Sequence, residues 1–307
     1  MLSVIRASRR VANRNMINKR VSIGIAGAGR VAQVLGRLLS ESGQPVVAIA
    51  GRSPERTAAA ARFIGTHTTP TTLEKLPALA SRILIAVSDT AVEPVASLLA
   101  RSGFQRGVAL HTCGAKGPQA LMVLTHAGVN CGALHPLQSF TSAAQGIASV
   151  GGSFFAIDGD PEAIEWASSI VTQVGCRSVR IRAEDRSLYH AAAVMASNYI
   201  TALVYVAVEV LKAAGLDRST ALTALAPLVK TSAENSLSLG PVEALTGPIA
   251  RGDTTTVMAH LNALRNLPEP INRLYGSAGE LTVQMAVLRG LPESKAAEIE
   301  EILRTVQ

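Results

Sequence analysis

The sequence contains few aromatic residues, few cysteines and little charge. Aromatic side chains make up 3% of its 307 residues, so the stacking platforms that bind single-stranded nucleic acids are missing and no nucleic-acid partner is expected. The three cysteines, Cys113, Cys131 and Cys176, are too few and too scattered for a disulfide framework, which indicates a reducing, cytoplasmic setting. With 48% hydrophobic and 17% charged residues, the chain is neither disordered nor collagen-like.

Acidic residues are missing from the first 20 positions, which hold six of the 29 basic residues. Without these six, 23 basic residues face 22 acidic ones, so the net charge of +7 belongs almost wholly to this leader. A secretory signal is excluded because the leader has no apolar core, whereas an Arg-rich organelle presequence stays possible. We favour a disordered leader, or one that lies upstream of a true start at Met16.

A long uninterrupted apolar run is also missing. The most apolar stretch, residues 191–208, is interrupted by Ser197, Asn198 and Thr201 and ends before Glu209. A transmembrane helix needs about 20 apolar residues. The stretch therefore predicts a buried helix in an alanine-rich bundle, and no membrane association.

Residues 21–183 alternate between β-rich runs and helical patterns such as Val31–Ser42, Pro54–Phe63 and Pro161–Val174. This alternation predicts an α/β domain with a parallel, doubly wound sheet, covered by helices on both faces. The predicted strands are Val21–Ala26, Pro45–Ala50, Ile83–Val87, Val108–Thr112, Val129–Leu134, Ser153–Ile157 and Ser178–Arg182.

The pattern becomes helical throughout after about residue 183. Six prolines interrupt it, which predicts an all-α domain of five or six helices over residues 184–307. These prolines are Pro227, Pro241, Pro248, Pro268, Pro270 and Pro292.

The segment GAGRVA follows the first predicted strand and opens a helix. It has the form G-x-G-x-x-A, in which the first glycine permits a tight turn, the second lets the backbone approach a pyrophosphate, and the alanine allows close packing of helix on strand. Amide groups at the helix N-terminus then attract phosphates. The predicted cofactor-binding residues here are Gly27, Ala28, Gly29, Arg30, Val31 and Ala32.

The tip of the second strand favours NADP over NAD. NAD-binding domains usually carry an acidic residue there for the ribose 2′-hydroxyl, but this chain has Arg52 and Ser53, followed by Arg56. Guanidinium groups suit a 2′-phosphate, although Arg56 could equally be a solvated helix residue. Val87, Ser88 and Thr112, at the tips of two further strands, are predicted to line the nicotinamide side of the crevice.

Several motifs resemble one family, the Rossmann-like proteins with a DUF2520 C-terminal domain. They are the phosphate loop, AVSDTAV, LHTCGA, GALHPLQSF, YHAAAVMASNY and LTGPIARGD. The resemblance covers roughly residues 21–290 and places the chain in the 6-phosphogluconate dehydrogenase-like group, beside pyrroline-5-carboxylate reductase, ketopantoate reductase and F420-dependent NADP oxidoreductases. It implies a nucleotide-binding N-terminal domain and a helical C-terminal domain that forms a homodimer, but no established substrate.

His190 and Asn198 are the candidate catalytic residues. Together with Val194, Ser197 and Thr201, they recur at spacings that place them on one face of the helix after the sheet domain, where they would line an interdomain cleft. His190 could protonate the developing oxyanion or amine, and Asn198 could orient the substrate. Ketopantoate reductases carry a lysine on the corresponding helix; residues 187–211 contain none. The alternative is that His190 is a structural histidine.

His135 and Arg251 are the candidate substrate-binding residues. His135 precedes Pro136 after the sixth predicted strand and could instead be structural. Arg251 lies in a glycine-bearing turn before a helix that Asp253 would cap; by analogy with pyrroline-5-carboxylate reductases, it could hold a carboxylate. No metal is expected, because no Cys/His cluster has ligand spacing, and Cys113 is interpreted as a small buried thiol.

Taken together, these features predict an NADP-dependent oxidoreductase that reduces a small keto or imino acid between its two domains. Two alternatives remain open at this stage. One is a non-catalytic NADP(H)-binding sensor. The other is an F420-dependent NADP oxidoreductase.

Overall fold

The computed structural model describes residues 21–304. The predicted basic leader, residues 1–20, and the choice between Met1 and Met16 as the start lie outside this range. The chain divides into two compact units, the first ending at Ala196 and the second beginning at Ser197. The sequence places the domain boundary earlier, between residues 183 and 184. The compact units divide later because the first turns of the next helix pack within the sheet unit, where Arg186 is buried and Tyr189 bonds His135.

An eight-stranded sheet forms the centre of the first unit, in the order β3-β2-β1-β4-β5-β6-β7-β8. The first six strands in this order are parallel and have the doubly wound arrangement of a dinucleotide-binding fold. The strands are β1 Ile23–Ala26, β2 Val46–Ala50, β3 Thr69–Thr71, β4 Arg82–Ile85, β5 Val108–His111, β6 Asn130–Pro136, β7 Phe154–Gly159 and β8 Arg177–Arg180.

The sheet differs from the sequence prediction in two respects. Strand β7 runs antiparallel to β6, so the sheet is mixed rather than wholly parallel. Strand β3 was not predicted, because its three residues, Thr-Pro-Thr, are too short and too polar to show a β pattern. The other seven strands lie where the sequence predicts them, with ends shifted by one or two residues.

Seven helices of the first unit cover the sheet. They are α1 Arg30–Glu41, α2 Pro54–Ile64, α3 Leu76–Leu79, α4 Val92–Arg101, α5 Met122–His126, α6 Ala143–Val150 and α7 Pro161–Gln173. Two apolar clusters fill the two sides of the sheet, one containing Ile23 and Ile25 of β1, the other containing Ala26 of the same strand. Burial on both faces explains why these strands are continuous apolar runs in the sequence.

A long helix leads from the first unit into the second and contains a π-helical turn. It comprises α8 Arg186–Val194, the π turn Met195–Tyr199 and α9 Ile200–Ala213. A π turn adds a residue to the helical repeat. The regular spacing on which the sequence predicts a shared face for His190, Asn198 and Thr201 therefore does not continue through this segment.

The helices of the second unit after α9 are α10 Arg218–Leu239, α11 Thr254–Leu264, α12 Glu269–Leu288 and α13 Glu293–Arg304. Together with α9 they make five helices, as the sequence predicts, but Pro227 lies inside α10 and does not end it. Asp253 caps α11 as predicted, since its carboxylate accepts a 3.0 Å hydrogen bond from the Thr256 amide. Val257, Val283 and Ile299 belong to the core of this unit.

The apolar helix predicted to be buried is largely exposed, and this part of the prediction is wrong. Ala183–Ala213 is the one helical segment among the described residues that is long and apolar enough to cross a membrane, and only 6% of its most apolar window is buried. One such helix is weak evidence for a membrane span. Leu203 and Tyr205 are exposed among residues 21–304, which the sequence pattern alone could not reveal.

Candidate functional site

A groove of about 920 Å³ lies at the carboxyl ends of β1, β2 and β4 in the first unit. Ten of the eleven residues predicted to bind the cofactor line it. They are Gly27, Ala28, Gly29, Arg30, Val31, Arg52, Ser53, Val87, Ser88 and Thr112. The eleventh, Ala32, is fully buried, as its predicted packing role requires. The structure therefore brings residues 27–112 together in one groove, where ligands bind in open α/β sheets.

Two glycines shape the turn after β1 in different ways. Gly27 has φ +119°, and a Cβ there would lie 2.0 Å from the Ala86 carbonyl oxygen, so no side chain fits between the ends of β1 and β4. Gly29 is the N-cap of α1, and no atom lies within 4 Å of the position that its Cβ would take. No side chain caps α1, so open space faces the positive end of this helix and a pyrophosphate fits there.

The lining of the groove is strongly positive. Arg30, Arg52 and Arg56 line it, against one carboxylate, that of Asp89. The Arg30 guanidinium donates a 3.4 Å hydrogen bond to the Phe140 carbonyl. Arg52 and Arg56 form no ion pair within residues 21–304. Two free guanidinium groups at the tip of β2 are suited to a phosphate ester.

Ser53 lines the groove and also caps the following helix. It is the N-cap of α2, where its hydroxyl oxygen accepts a 3.3 Å hydrogen bond from the Arg56 amide and donates one of 2.8 Å to the Glu55 carboxylate. This cap fixes the start of α2 and with it the position of Arg56. A contact of the Ser53 hydroxyl with a cofactor stays a prediction.

A second group of polar side chains lies beyond the tip of β5. The His111 ring is fully buried, and both of its nitrogens bond backbone: Nδ1 accepts from the Cys113 amide at 3.2 Å, and Nε2 donates to the Gly117 carbonyl at 2.9 Å. Burial lowers the pKa of His111 to about 4, so the ring is neutral near pH 7. His111 thus holds the loop 112–117 in place.

His135 and His190 lie close together, as their predicted roles require. Their ring centroids are 5.8 Å apart, and a 2.8 Å hydrogen bond joins His135 Nδ1 to the Tyr189 hydroxyl. Burial, followed by the nearby His190 and Arg186, lowers the pKa of His135 to about 4. Near pH 7 His135 is therefore a neutral hydrogen-bonding group.

Gly114 packs directly against the two imidazoles. A Cβ on Gly114 would lie 2.5 Å from His190 Nδ1 and 2.7 Å from His135 Nε2, so no side chain fits at this position. His190 Nδ1 is buried and has no hydrogen-bond partner among the described residues. The absence of a side chain at Gly114 therefore allows the loop after β5 to approach both rings.

Arg186 is a buried charged residue beside these histidines that the sequence motifs do not single out. It is 1% exposed and is the one arginine, lysine or carboxylate side chain buried in residues 21–304. A sequence signal for it exists, since Arg186 and His190 stand four residues apart on one helix, a spacing that places them on the same face. The sequence motifs likewise assign no role to Tyr189, which bonds His135.

The remaining predicted residues lie in the second unit. Asn198 is exposed in the π turn, and the structure shows no hydrogen bond of its side chain within the described range. Arg251 ends a short 3₁₀ helix and lines a separate pocket of about 490 Å³, together with Thr246 and Arg289. The roles of Asn198 and Arg251 stay predictions.

Cys113 is an inert thiol in this structure. Burial, followed by the Asp89 carboxylate, raises its pKa to about 11, so the sulfur is protonated near neutral pH. Within residues 21–304, no group of three His, Cys, Asp or Glu side chains is arranged to hold a metal ion.

Family comparisons agree with the fold. Residues 7–136 match the model of the Rossmann-like domain, and residues 153–282 match the Domain of unknown function DUF2520. The chain therefore combines a Rossmann-like domain with a DUF2520 domain, as its sequence motifs indicate. The DUF2520 match begins within the first compact unit, which ends at Ala196. No curated protein matches the sequence significantly.

Solved structures share this fold at low sequence identity. Protein TM1727 from Thermotoga maritima is 24% identical, with a TM-score of 0.67 over 87% of this chain and 99% of its own. A Bacteroides fragilis protein provisionally assigned as an NADP oxidoreductase is 23% identical, with a TM-score of 0.69 over 92% and 98%. Pyrroline carboxylate reductase from Plasmodium falciparum, solved with NADP bound, is 13% identical, with a TM-score of 0.57 over 92% and 98%.

Proposed function

We propose that this protein is an NADP-dependent oxidoreductase that reduces a small keto or imino acid. The observation that carries the proposal is the groove at the strand tips, where the open space over Gly29 and the unpaired Arg52 and Arg56 meet. NADP oxidoreductases with the same fold support it.

Different residues of the groove bind different parts of NADP(H). Gly27 and Gly29 form the turn that receives the pyrophosphate at the N-terminus of α1. Arg52 and Arg56 hold the 2′-phosphate, with Ser53 placing Arg56 through its cap. Val87, Ser88 and Thr112 line the groove from the neighbouring strands, the side on which the nicotinamide is expected.

The cofactor preference can be tested at the tip of β2. Replacing Arg52 and Arg56 together by alanine should raise the Kd for NADPH by roughly 10- to 100-fold, because charge-assisted hydrogen bonds to the 2′-phosphate are lost. The Kd for NADH should stay unchanged. Arg62→Ala is the matched control, since Arg62 is an exposed residue of the same helix outside the groove. Equal weakening of NADH and NADPH binding in the double variant would contradict a role in 2′-phosphate recognition.

His190 is the proposed proton donor. When bound, NADPH supplies a hydride to the substrate carbon. His190 then provides the proton for the resulting oxyanion or amine, and the products are NADP⁺ and a hydroxy or amino acid. Its buried Nδ1 has no hydrogen-bond partner among the described residues, which leaves this nitrogen available to a polar group of the substrate.

A screen of keto and imino acids tests the catalytic part of this proposal. Each compound is added to the enzyme with NADPH, and oxidation of NADPH is followed by its absorbance. We expect turnover with at least one small acid. If NADPH binds but neither these acids nor F420 change its oxidation state, a non-catalytic NADP(H) sensor replaces the enzyme. Turnover with F420 alone identifies an F420-dependent NADP oxidoreductase.

The helical unit is proposed to form a homodimer. Large apolar side chains of α9 and α10 are exposed in the single chain, among them Leu203, Tyr205 and Leu228 at 48%, 64% and 63%. Large exposed apolar patches on soluble proteins mark interaction surfaces. A second copy of this chain, packing the same helices, would bury these side chains in an isologous interface.

The oligomeric state tests this interface. Replacing Leu203 and Leu228 together by glutamate should convert a dimer of the wild-type protein into a monomer, measured by sedimentation equilibrium. Leu79→Glu is the control, because Leu79 is also exposed but lies in the sheet unit. A wild-type protein that sediments as a monomer would contradict the proposal, and one that requires detergent would indicate a lipid contact instead.

A reducing, cytoplasmic location is part of the proposal. All three cysteines are free, and Cys113 and Cys131 are buried as thiols. Such thiols persist where no oxidising machinery acts on them.

A further inference from the structure

Arg186 is a buried cation without a counter-ion. Its side chain is 1% exposed, and Nε, Nη1 and Nη2 have no hydrogen-bond partner among the described residues. An uncompensated charge in a protein interior is strongly destabilising, and five N–H donors are left unused. A bound ligand that supplies a negative charge and hydrogen-bond acceptors would compensate this buried guanidinium group.

No carboxylate among the described residues forms a hydrogen bond or ion pair with Arg186. Its charge acts on His111, His135, Tyr189 and Cys113. The two histidines are neutral near pH 7, and the pKa of Tyr189 is raised to about 12, mainly by burial, so none of these groups carries a negative charge. Asp158 is the carboxylate with the main influence on Arg186.

Asp158 is already engaged elsewhere. It forms an ion pair with Arg180 at 3.7 Å and makes no hydrogen bond to Arg186. The positive charge of Arg186 is therefore available to an incoming anion. A planar guanidinium group is matched by a planar carboxylate, which accepts two parallel hydrogen bonds from it.

The polar groups next to Arg186 indicate which class of anion it would bind. Arg186 and His190 are separated by one helical turn, a distance of about 5–6 Å between Cβ atoms. His190 Nδ1 is buried without a hydrogen-bond partner among the described residues, and the ring centroids of His190 and His135 are 5.8 Å apart. A carboxylate on Arg186 would thus stand close to an imidazole that can bond a second polar group, as in an acid with its oxo or imino group on the adjacent carbon.

We infer that Arg186 is the receptor for the carboxylate of a 2-oxo or 2-imino acid, whose oxo or imino group bonds the unpartnered imidazole of His190. This assignment rests on the proposed function for the reaction that follows, but the binding step stands without it. It replaces Arg251 as the carboxylate anchor. Arg251 lies in the second unit, in a pocket where Arg289 already donates to the Leu245 carbonyl.

Binding of pyruvate and its neutral amide, pyruvamide, tests the inference at constant ionic strength. Pyruvate should raise the Tm of the wild-type protein and give a measurable Kd by calorimetry, whereas pyruvamide should do neither. Arg186→Met should weaken pyruvate binding by roughly 10- to 100-fold, with an unchanged or higher Tm in the absence of ligand, because a buried unpaired charge is removed.

Three further variants separate this site from its alternatives. Arg182→Met removes an exposed arginine nearby, which pairs with Glu184 and Asp185, and should bind pyruvate as the wild type does. Arg186→Lys keeps the charge without the planar fork, and should fold normally but bind more weakly. Loss of pyruvate binding in Arg251→Met but not in Arg186→Lys would overturn the inference, as would a wild-type protein that does not bind pyruvate.

Two controls keep the inference distinct from the proposed function. Inorganic phosphate that binds at Arg186 as tightly as pyruvate would show a free-anion site and overturn the substrate assignment. Titration with NADPH in the same preparations tests the groove independently. Pyruvate binding without NADPH binding would support Arg186 as a carboxylate receptor and contradict the proposed oxidoreductase. NADPH binding without pyruvate binding would support the cofactor groove and contradict the role of Arg186.

Discussion

Replacing Gly29 by aspartate should abolish tight binding of NADPH and leave the fold intact. The Cβ position of Gly29 opens into empty space, and its φ of −79° suits any residue. An aspartate side chain would therefore extend into the groove without a clash. Its carboxylate would occupy the N-terminus of α1, where the pyrophosphate is expected, and repel it.

The expected change in affinity is large. Two negative charges about 4 Å apart near a protein surface repel by about 4 kcal/mol, so the Kd for NADPH should rise by roughly 100-fold or more. The Tm should stay constant or rise slightly, because an acidic residue at a helix N-terminus stabilises the helix. Fluorescence titration and thermal unfolding measure these two quantities.

Gly29→Asn is the matched control for this variant. Asparagine has the same shape as aspartate without the charge, so it should weaken binding much less. If Gly29→Asp binds NADPH as tightly as the wild type, no phosphate lies at the start of α1. A large fall in Tm would instead show that the turn does not tolerate a side chain.

Replacing His190 by glutamine should lower kcat by about 10²- to 10⁴-fold, the range typical of a lost general acid. The Kd for NADPH should not change, because His190 is not part of the groove lining. The substrate identified by the screen is used at saturation, so that kcat reports the proton transfer. His190 Nδ1 has no partner in the described structure, hence glutamine breaks no hydrogen bond of this atom.

His260→Gln provides the control for this effect. His260 Nδ1 bonds the Tyr275 hydroxyl at 2.8 Å, which is the same pairing that His135 makes with Tyr189, but it does so in the helical unit. Its replacement should leave kcat within a factor of about two. Activity of His190→Gln close to that of the wild type would identify His190 as a structural histidine.

The residues that line the groove could be predicted almost completely because they are tied to local patterns. Gly27 and Gly29 follow a strand and open a helix, and Arg52 ends the next strand, so the topology of parallel strands brings them together. Each of these positions is fixed by a turn of a few residues. The antiparallel β7 was not foreseen, because strand direction depends on pairing between distant segments.

Arg186 and the π turn could not be inferred from periodicity in the same way. A basic residue at the start of an apolar helix normally lies in solvent, and its burial depends on how α8 packs against the sheet unit. No sequence pattern indicates the extra residue in the π turn Met195–Tyr199. Regular helical geometry therefore assigns Asn198 to the wrong face of the helix. The exposure of Leu203 likewise depends on tertiary packing.

Titration of the wild-type protein with NADPH, followed by cofactor fluorescence, tests the central claim most directly. The account predicts saturable binding of one NADPH per chain, tighter than that of NADH and competitive with NADP⁺. Fluorescence that stays unchanged at high protein concentration would contradict it, because the groove at Gly29 and Arg52 would then have no dinucleotide to hold.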